Sequence, residues 1–160
     1  MTTNPGPTRR LFLDKQHPEV YKAQVAVAVA VRKATRDAGL APALVELLSV
    51  RISQINGCAY CLDLHTRQAM EVGETPRRLG VLPAWRDAAI FTEEERAALT
   101  LVESITRLGD VDAQDAAYAE ASAVLSDDEV SVVSWVAITM NAFNRLSITS
   151  RHPVRPERAG

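Results

Sequence analysis

The chain has only two cysteines, set three residues apart, with a histidine four residues further on: Cys58, Cys61 and His65 in the stretch NGCAYCLDLH. Such a set does one of three things. The thiols cycle between dithiol and disulfide, or with the imidazole and a carboxylate they bind zinc, or they are small residues and a histidine filling a helical core. On a helix turning about 100° per residue, the three side chains fall within about 60° of one another. Their i,i+3 and i,i+4 spacings are the ones that touch on a helix. Asn56-Gly57 just before them marks a helix start, where unpaired N–H groups and the macrodipole favour a thiolate. A thiolate with a second thiol in reach can attack an oxidised substrate and be resolved as an intramolecular disulfide. Structural zinc sites usually draw on two separated ligand pairs, and the sequence has no second cysteine pair.

These residues need helices to hold them. The first long helix is expected to start near His17-Pro18-Glu19, after an extended arm over residues 1–16, and to stop at Gly39. The Val/Ala alternation from Val25 mimics a strand. Yet the segment is free of Gly and Pro, rich in the best helix former, and too long for a usual strand. Pro42 opens the next helix, with Leu44, Leu47, Leu48, Ile52 and Ile55 on one face and Gly57 at its end. The cysteine helix follows, from about Cys58 to Val72. Short helices are expected at Thr75-Pro76 and over PAWRDAAIF. Capping boxes at Thr92/Glu95 and Ser126/Glu129 start two longer ones. Between these, Gly109-Asp110 is a break and Asp112 to about Leu125 another helix. RHPVRPERAG, residues 151–160, reads as a frayed tail. The expectation is an all-α domain of seven to eight helices over residues 17–150.

Composition fits one such domain: 160 residues, 47% of them apolar, and a net charge of −2. That charge advertises neither nucleic acid nor an anionic membrane. No apolar stretch follows MTTNPGPTRR as in a signal peptide, and none reaches membrane-spanning length. The expected location is the cytoplasm, where a cysteine pair is more often redox-active or metal-binding than a permanent staple. His17 and His152 read as incidental, Trp85 and Trp135 as core or interface anchors, and Asn141, Asn144 and Arg145 as chiefly structural. By periodicity Glu46 lies off the leucine face, near Ser49 and Ser53, and reads as a solvated carboxylate.

The run ELLSVRISQINGCAYCLDLH resembles the motif of the AhpD-like alkylhydroperoxidases, within the carboxymuconolactone decarboxylase-like family: Glu, eleven residues, then Cys-x-x-Cys-x-x-x-His. Glu46, Cys58, Cys61 and His65 match each position. HTRQA, AWRDA, FTEEERAAL and NAFNRL continue the similarity over roughly residues 17–150. The resemblance implies an all-helical, self-associating fold (trimers or hexamers) and peroxidase chemistry without metal or organic cofactor. It implies Cys61 as the peroxidatic thiol, Cys58 as the resolving thiol and Glu46 with His65 as a proton relay. Partners would be a hydroperoxide and an external dithiol or reducing protein. One departure stands out: the best-known pattern carries a second histidine where this chain has Tyr60, whose phenol does not titrate near neutral pH. Tyr60 is then a candidate pocket residue. The alternatives are a disulfide reductase or redox sensor with little peroxidase turnover, and a metal-binding or assembly protein. Lactone decarboxylation, the activity in the family's name, does not rest on a dithiol.

Overall fold

The computed structural model describes residues 10–154 and 156; the far ends of the expected arm and tail lie outside the described residues. Among the described residues the secondary structure is entirely helical, as expected. The helices are α1 (Leu13–Gln16), α2 (Pro18–Asp37), α3 (Pro42–Asn56), α4 (Ala59–Glu71), α5 (Pro76–Val81), α6 (Glu93–Arg107), α7 (Val111–Ser122) and α8 (Asp127–Ser150), with a 3₁₀ segment at Leu82–Asp87.

The boundaries have local causes. Pro18, Pro42 and Pro76 each occupy the first turn of a helix, where the missing N–H costs nothing. Thr92/Glu95 and Ser126/Glu129 form both halves of their capping boxes. Gly57 ends α3 in the left-handed conformation, at φ +67°. The Val/Ala alternation lies within α2.

α3 is the central element, packed against α4, α6 and α8. Leu47, Leu48 and Ile52 of α3, Leu99 and Val102 of α6 and Val133 of α8 are fully buried and form the middle of the core. Around it, one carboxylate ties several elements together. Glu103 on α6 is 2% exposed and accepts hydrogen bonds from Arg51 Nε (2.7 Å), Trp85 Nε1 (2.9 Å), Arg86 Nη1 (2.5 Å) and Arg107 Nη1 (3.0 Å). Burial works against its charge, but the bonds from Trp85, Arg86 and Arg51 prevail and hold its pKa at about 2. Trp85 is thus a core anchor, whereas Trp135 is half exposed.

Three expectations are corrected. PAWRDAAIF is not an α-helix. It makes a kinked 3₁₀ segment that stops at Asp87, and the carbonyls of Trp85, Arg86 and Ala88 accept hydrogen bonds from the Arg96 guanidinium. By contrast, Gly109-Asp110 is the expected break, with Leu108 capping α6 in the left-handed conformation at φ +48°. The arm is not extended through residue 16: Leu13–Gln16 is a helical turn whose Leu13 N–H donates to Ser150 Oγ at 3.1 Å. Nor is the start of the tail frayed, since His152 lies 3.0 Å from Asp14.

Candidate active site

The cysteines sit where α3 hands over to α4. Left-handed Gly57 turns the chain sharply, and Cys58 follows in an extended conformation as the N-cap of α4. Cys58 is therefore not on the helical stripe expected for it. Its sulfur nevertheless folds over the first turn and accepts from Cys61 N–H at 3.4 Å. Both cysteines are free and nearly fully buried, at 1% and 3% exposure.

The two thiols are electrostatically unequal. The Cys58 thiol faces Cys61, favouring charge on Cys61 and raising its own pKa. Burial opposes ionisation of Cys61. The side chains of Asn144 and Ser147 and the nearby charge of His65 favour it, and the thiol is pulled down to about 6. The surroundings thus favour negative charge on Cys61 over Cys58.

Glu46 and His65 reach this point from α3 and α4. Glu46 Oε2 lies 2.7 Å from His65 Nδ1. A carboxylate only accepts, so Nδ1 carries the proton and Nε2 is left as the ring's other working nitrogen. Arg32 of α2 adds a longer ion pair to Glu46 at 3.8 Å. Glu46 is 9% exposed, which corrects its reading as a solvated carboxylate; α2 and α4 cover a helix position that periodicity alone leaves facing water.

These groups line one cleft of about 610 Å³. Cys61, Glu46, His65 and Tyr60 contribute to it, with apolar walls from Val25 and Val29 of α2 and Met140 and Phe143 of α8. Cys58 does not line it. Among the described residues, no group of three or more His, Cys, Asp or Glu is arranged to hold a metal ion.

Reasoning from sequence missed the support from α8 and the termini. Asn144, fully buried, donates to Ser53, accepts from Asn56 and favours ionisation of the nearby Cys61. Asn141 links Asn56 and Thr106, and Arg145 donates to it, so the structural reading of Asn141 and Arg145 agrees with their contacts. Ser147 and His152 carried no sequence signal for the site. Apart from each other, the groups they meet at the cleft come from distant parts of the chain: Asp14 lies 138 positions from His152. His17 is the N-cap of α2 without a side-chain cap bond.

An all-helical fold with a Glu-His pair beside two thiols at a helix start defines a class of AhpD-like proteins. The match to the carboxymuconolactone decarboxylase family model spans residues 18–104, so the chain belongs to that family. It is 31% identical over 130 residues to the uncharacterised protein YdfG of Bacillus subtilis, a match covering 81% of this chain and 88% of that one. A shorter match, 32% over 65 residues, is to the uncharacterised protein YnjA of Escherichia coli, covering 41% of this chain and 36% of the relative. The crystal structure of ATU0492 from Agrobacterium tumefaciens, a protein of unknown function proposed as an AhpD antioxidant-defence protein, superposes with a TM-score of 0.84 at 29% identity. It covers 94% of this chain and all of that one. The apo debrominase Bmp8 shares the fold alone, with a TM-score of 0.74 at 14% identity over 88% of this chain and 74% of that one.

Proposed function

We propose that this protein is a thiol-dependent peroxidase that reduces alkyl hydroperoxides or hydrogen peroxide through Cys61 and Cys58. The observation that carries the reading is the placement of the two thiols. Cys61 lines the cleft together with the hydrogen-bonded Glu46–His65 pair, and Cys58 is buried outside its lining with its sulfur against the Cys61 N–H. The Cys61 thiolate attacks the terminal oxygen of the hydroperoxide; the S–O bond forms and the O–O bond breaks. The departing alkoxide or hydroxide takes a proton through His65, oriented by Glu46. Cys61 is left as a sulfenic acid. Cys58 condenses with it, releasing water and forming the disulfide. An external dithiol or reducing protein then restores both thiols. No step calls on a metal or an organic cofactor.

Tyr60 lines the cleft beside Cys61 and supplies a phenol where the family pattern has a histidine. Self-association as a trimer or hexamer belongs to the same reading. It is supported by α2, which buries only Val31 and Thr35 of its 20 residues and leaves Val20, Val27 and Val29 well exposed. A dithiol that must be reduced after every turnover suits the cytoplasm. Among the described residues no helix is long and apolar enough to cross a membrane.

The test is hydroperoxide consumption driven by a small dithiol such as dihydrolipoamide. Wild type is expected to turn over, Cys61→Ser to fall to the buffer rate, and Cys58→Ser to stall after one equivalent. If wild type forms the disulfide but does not turn over, a redox sensor or disulfide reductase replaces the peroxidase.

A further inference from the structure

Asp14 and His152, 138 positions apart in the chain, meet on the cleft that Cys61 lines. Their neighbours Lys15 and Pro153 line it too. His152 Nε2 lies 3.0 Å from Asp14 Oδ1. A carboxylate only accepts, so the imidazole nitrogen donates. A second bond backs the first: Leu13 N–H donates to Ser150 Oγ at 3.1 Å. The imidazole also lies against two rings, Phe12 at 5.4 Å and Tyr60 edge-on at 5.5 Å. Tyr60 is the residue before Cys61 and lines the cleft itself. α1 and the residues after α8 thus form a clasp that closes against the neighbour of the reactive thiol.

What holds the clasp shut is mainly polar. Helix α1 buries none of its residues, and Phe12 and Leu13 remain 45% and 38% exposed. The Asp14 and His152 side chains are only 12% and 16% exposed. Opening the clasp would therefore forfeit two hydrogen bonds and little apolar burial. The α8 side of the cleft is different. Val136 and Met140 line it and belong to the buried core, so packing fixes that wall. The cleft's size also needs a reason. At about 610 Å³ it far exceeds hydrogen peroxide, since a water molecule takes about 30 Å³ of liquid. It has room for an organic body against its apolar sides, and the clasp bounds that room.

We propose that the Asp14–His152 clasp is the specificity-determining wall of the cleft, setting how large a molecule reaches Cys61. It admits compounds with a compact apolar body, which rest against α2 and α8, and turns away bulkier ones. Asp14 and His152 form the wall, and the Leu13–Ser150 bond positions it. That the selected compounds are hydroperoxides rests on the peroxidase reading; the wall itself does not.

The test compares two reagents on one thiol. Cys61 of the reduced full-length protein is alkylated at a single pH by N-ethylmaleimide and by the bulky pyrene maleimide, and the modified residue is located by peptide mass mapping. Each rate is divided by the rate with a free small thiol. A change in thiolate fraction multiplies both rates alike, so their ratio reads the size of the opening and not the reactivity of the sulfur. In wild type the small reagent is expected to be favoured about tenfold. Asp14→Ala and His152→Ala are expected to cut that preference about fivefold, and Ser150→Ala about twofold. Ser150 does not line the cleft, so its effect reads the clasp and not a trimmed wall. A wild-type ratio in both Asp14→Ala and Ser150→Ala overturns the proposal. If His152→Ala loses helicity, Asp14→Ala decides, because α1 contributes nothing to the buried core. The same variants are expected to gain kcat/KM for linoleate hydroperoxide relative to tert-butyl hydroperoxide. Altered maleimide ratios in a protein that consumes neither hydroperoxide would sink the peroxidase reading and leave the wall standing.

Discussion

At the scale of single residues, the site turns on one proton being held in one place. The surroundings of the pair hold Cys58 up and Cys61 down, so the charge is favoured on Cys61. The sign of the pH dependence follows. The reactive form is the deprotonated one, and the Cys61 pKa is lowered to about 6 from an ordinary thiol value of 9.0. Single-turnover oxidation of the reduced protein by hydroperoxide is therefore expected to be near its plateau at pH 7.5 and to fall about tenfold per unit once the pH is well below 6. Stopped-flow measurement between pH 4.5 and 8 checks this; a midpoint near 9 would mean that the thiol is not activated. The cysteines and His65 were legible because they lie close together in the chain, although Cys58 turned out to cap the helix and not to sit on its stripe. Glu46 was legible only through the family motif, for its burial depends on α2 and α4 and not on its own helix's periodicity. His152 was not legible at all, since its meaning comes from Asp14, 138 positions away.

At the scale of elements, the handover from α3 to α4 matters most. Gly57 is left-handed, and a Cβ added there would meet nothing within 4 Å. The cost of a side chain is therefore conformational and not steric contact. Gly57→Ala is expected to destabilise the protein by about 1 kcal/mol, and to slow Cys61 alkylation by loosening the extended Cys58 that caps α4. Thermal denaturation together with the alkylation rate tests both halves; an unchanged melting temperature would contradict the first. Helix starts were readable because prolines and capping boxes are local. The PAWRDAAIF segment was misread because its carbonyls are taken by Arg96 from the next helix, which no local pattern reports.

At the scale of the whole molecule, the helices build a cleft with an apolar wall and a polar end. α3 carries Glu46, the start of α4 carries both thiols, and α8 brings Asn144 and Ser147 against Cys61. The all-α class was legible because no segment carries a convincing strand signal and the helical faces are strongly patterned. The convergence of Asp14 and His152 on the cleft was not, because nothing in the residues around them records where they dock. The single-domain expectation for residues 17–150 therefore leaves out Asp14 and His152, which the structure joins beside the same thiol.

The most direct measurement is the mass of the Cys58→Ser protein after reduction and treatment with one equivalent of an alkyl hydroperoxide. Without a resolving thiol, the sulfenic acid has nothing within the subunit to condense with. The account predicts the gain of one oxygen atom, trapped by a sulfenic-acid reagent and mapped to Cys61. An unmodified Cys61, with the hydroperoxide intact, would contradict it.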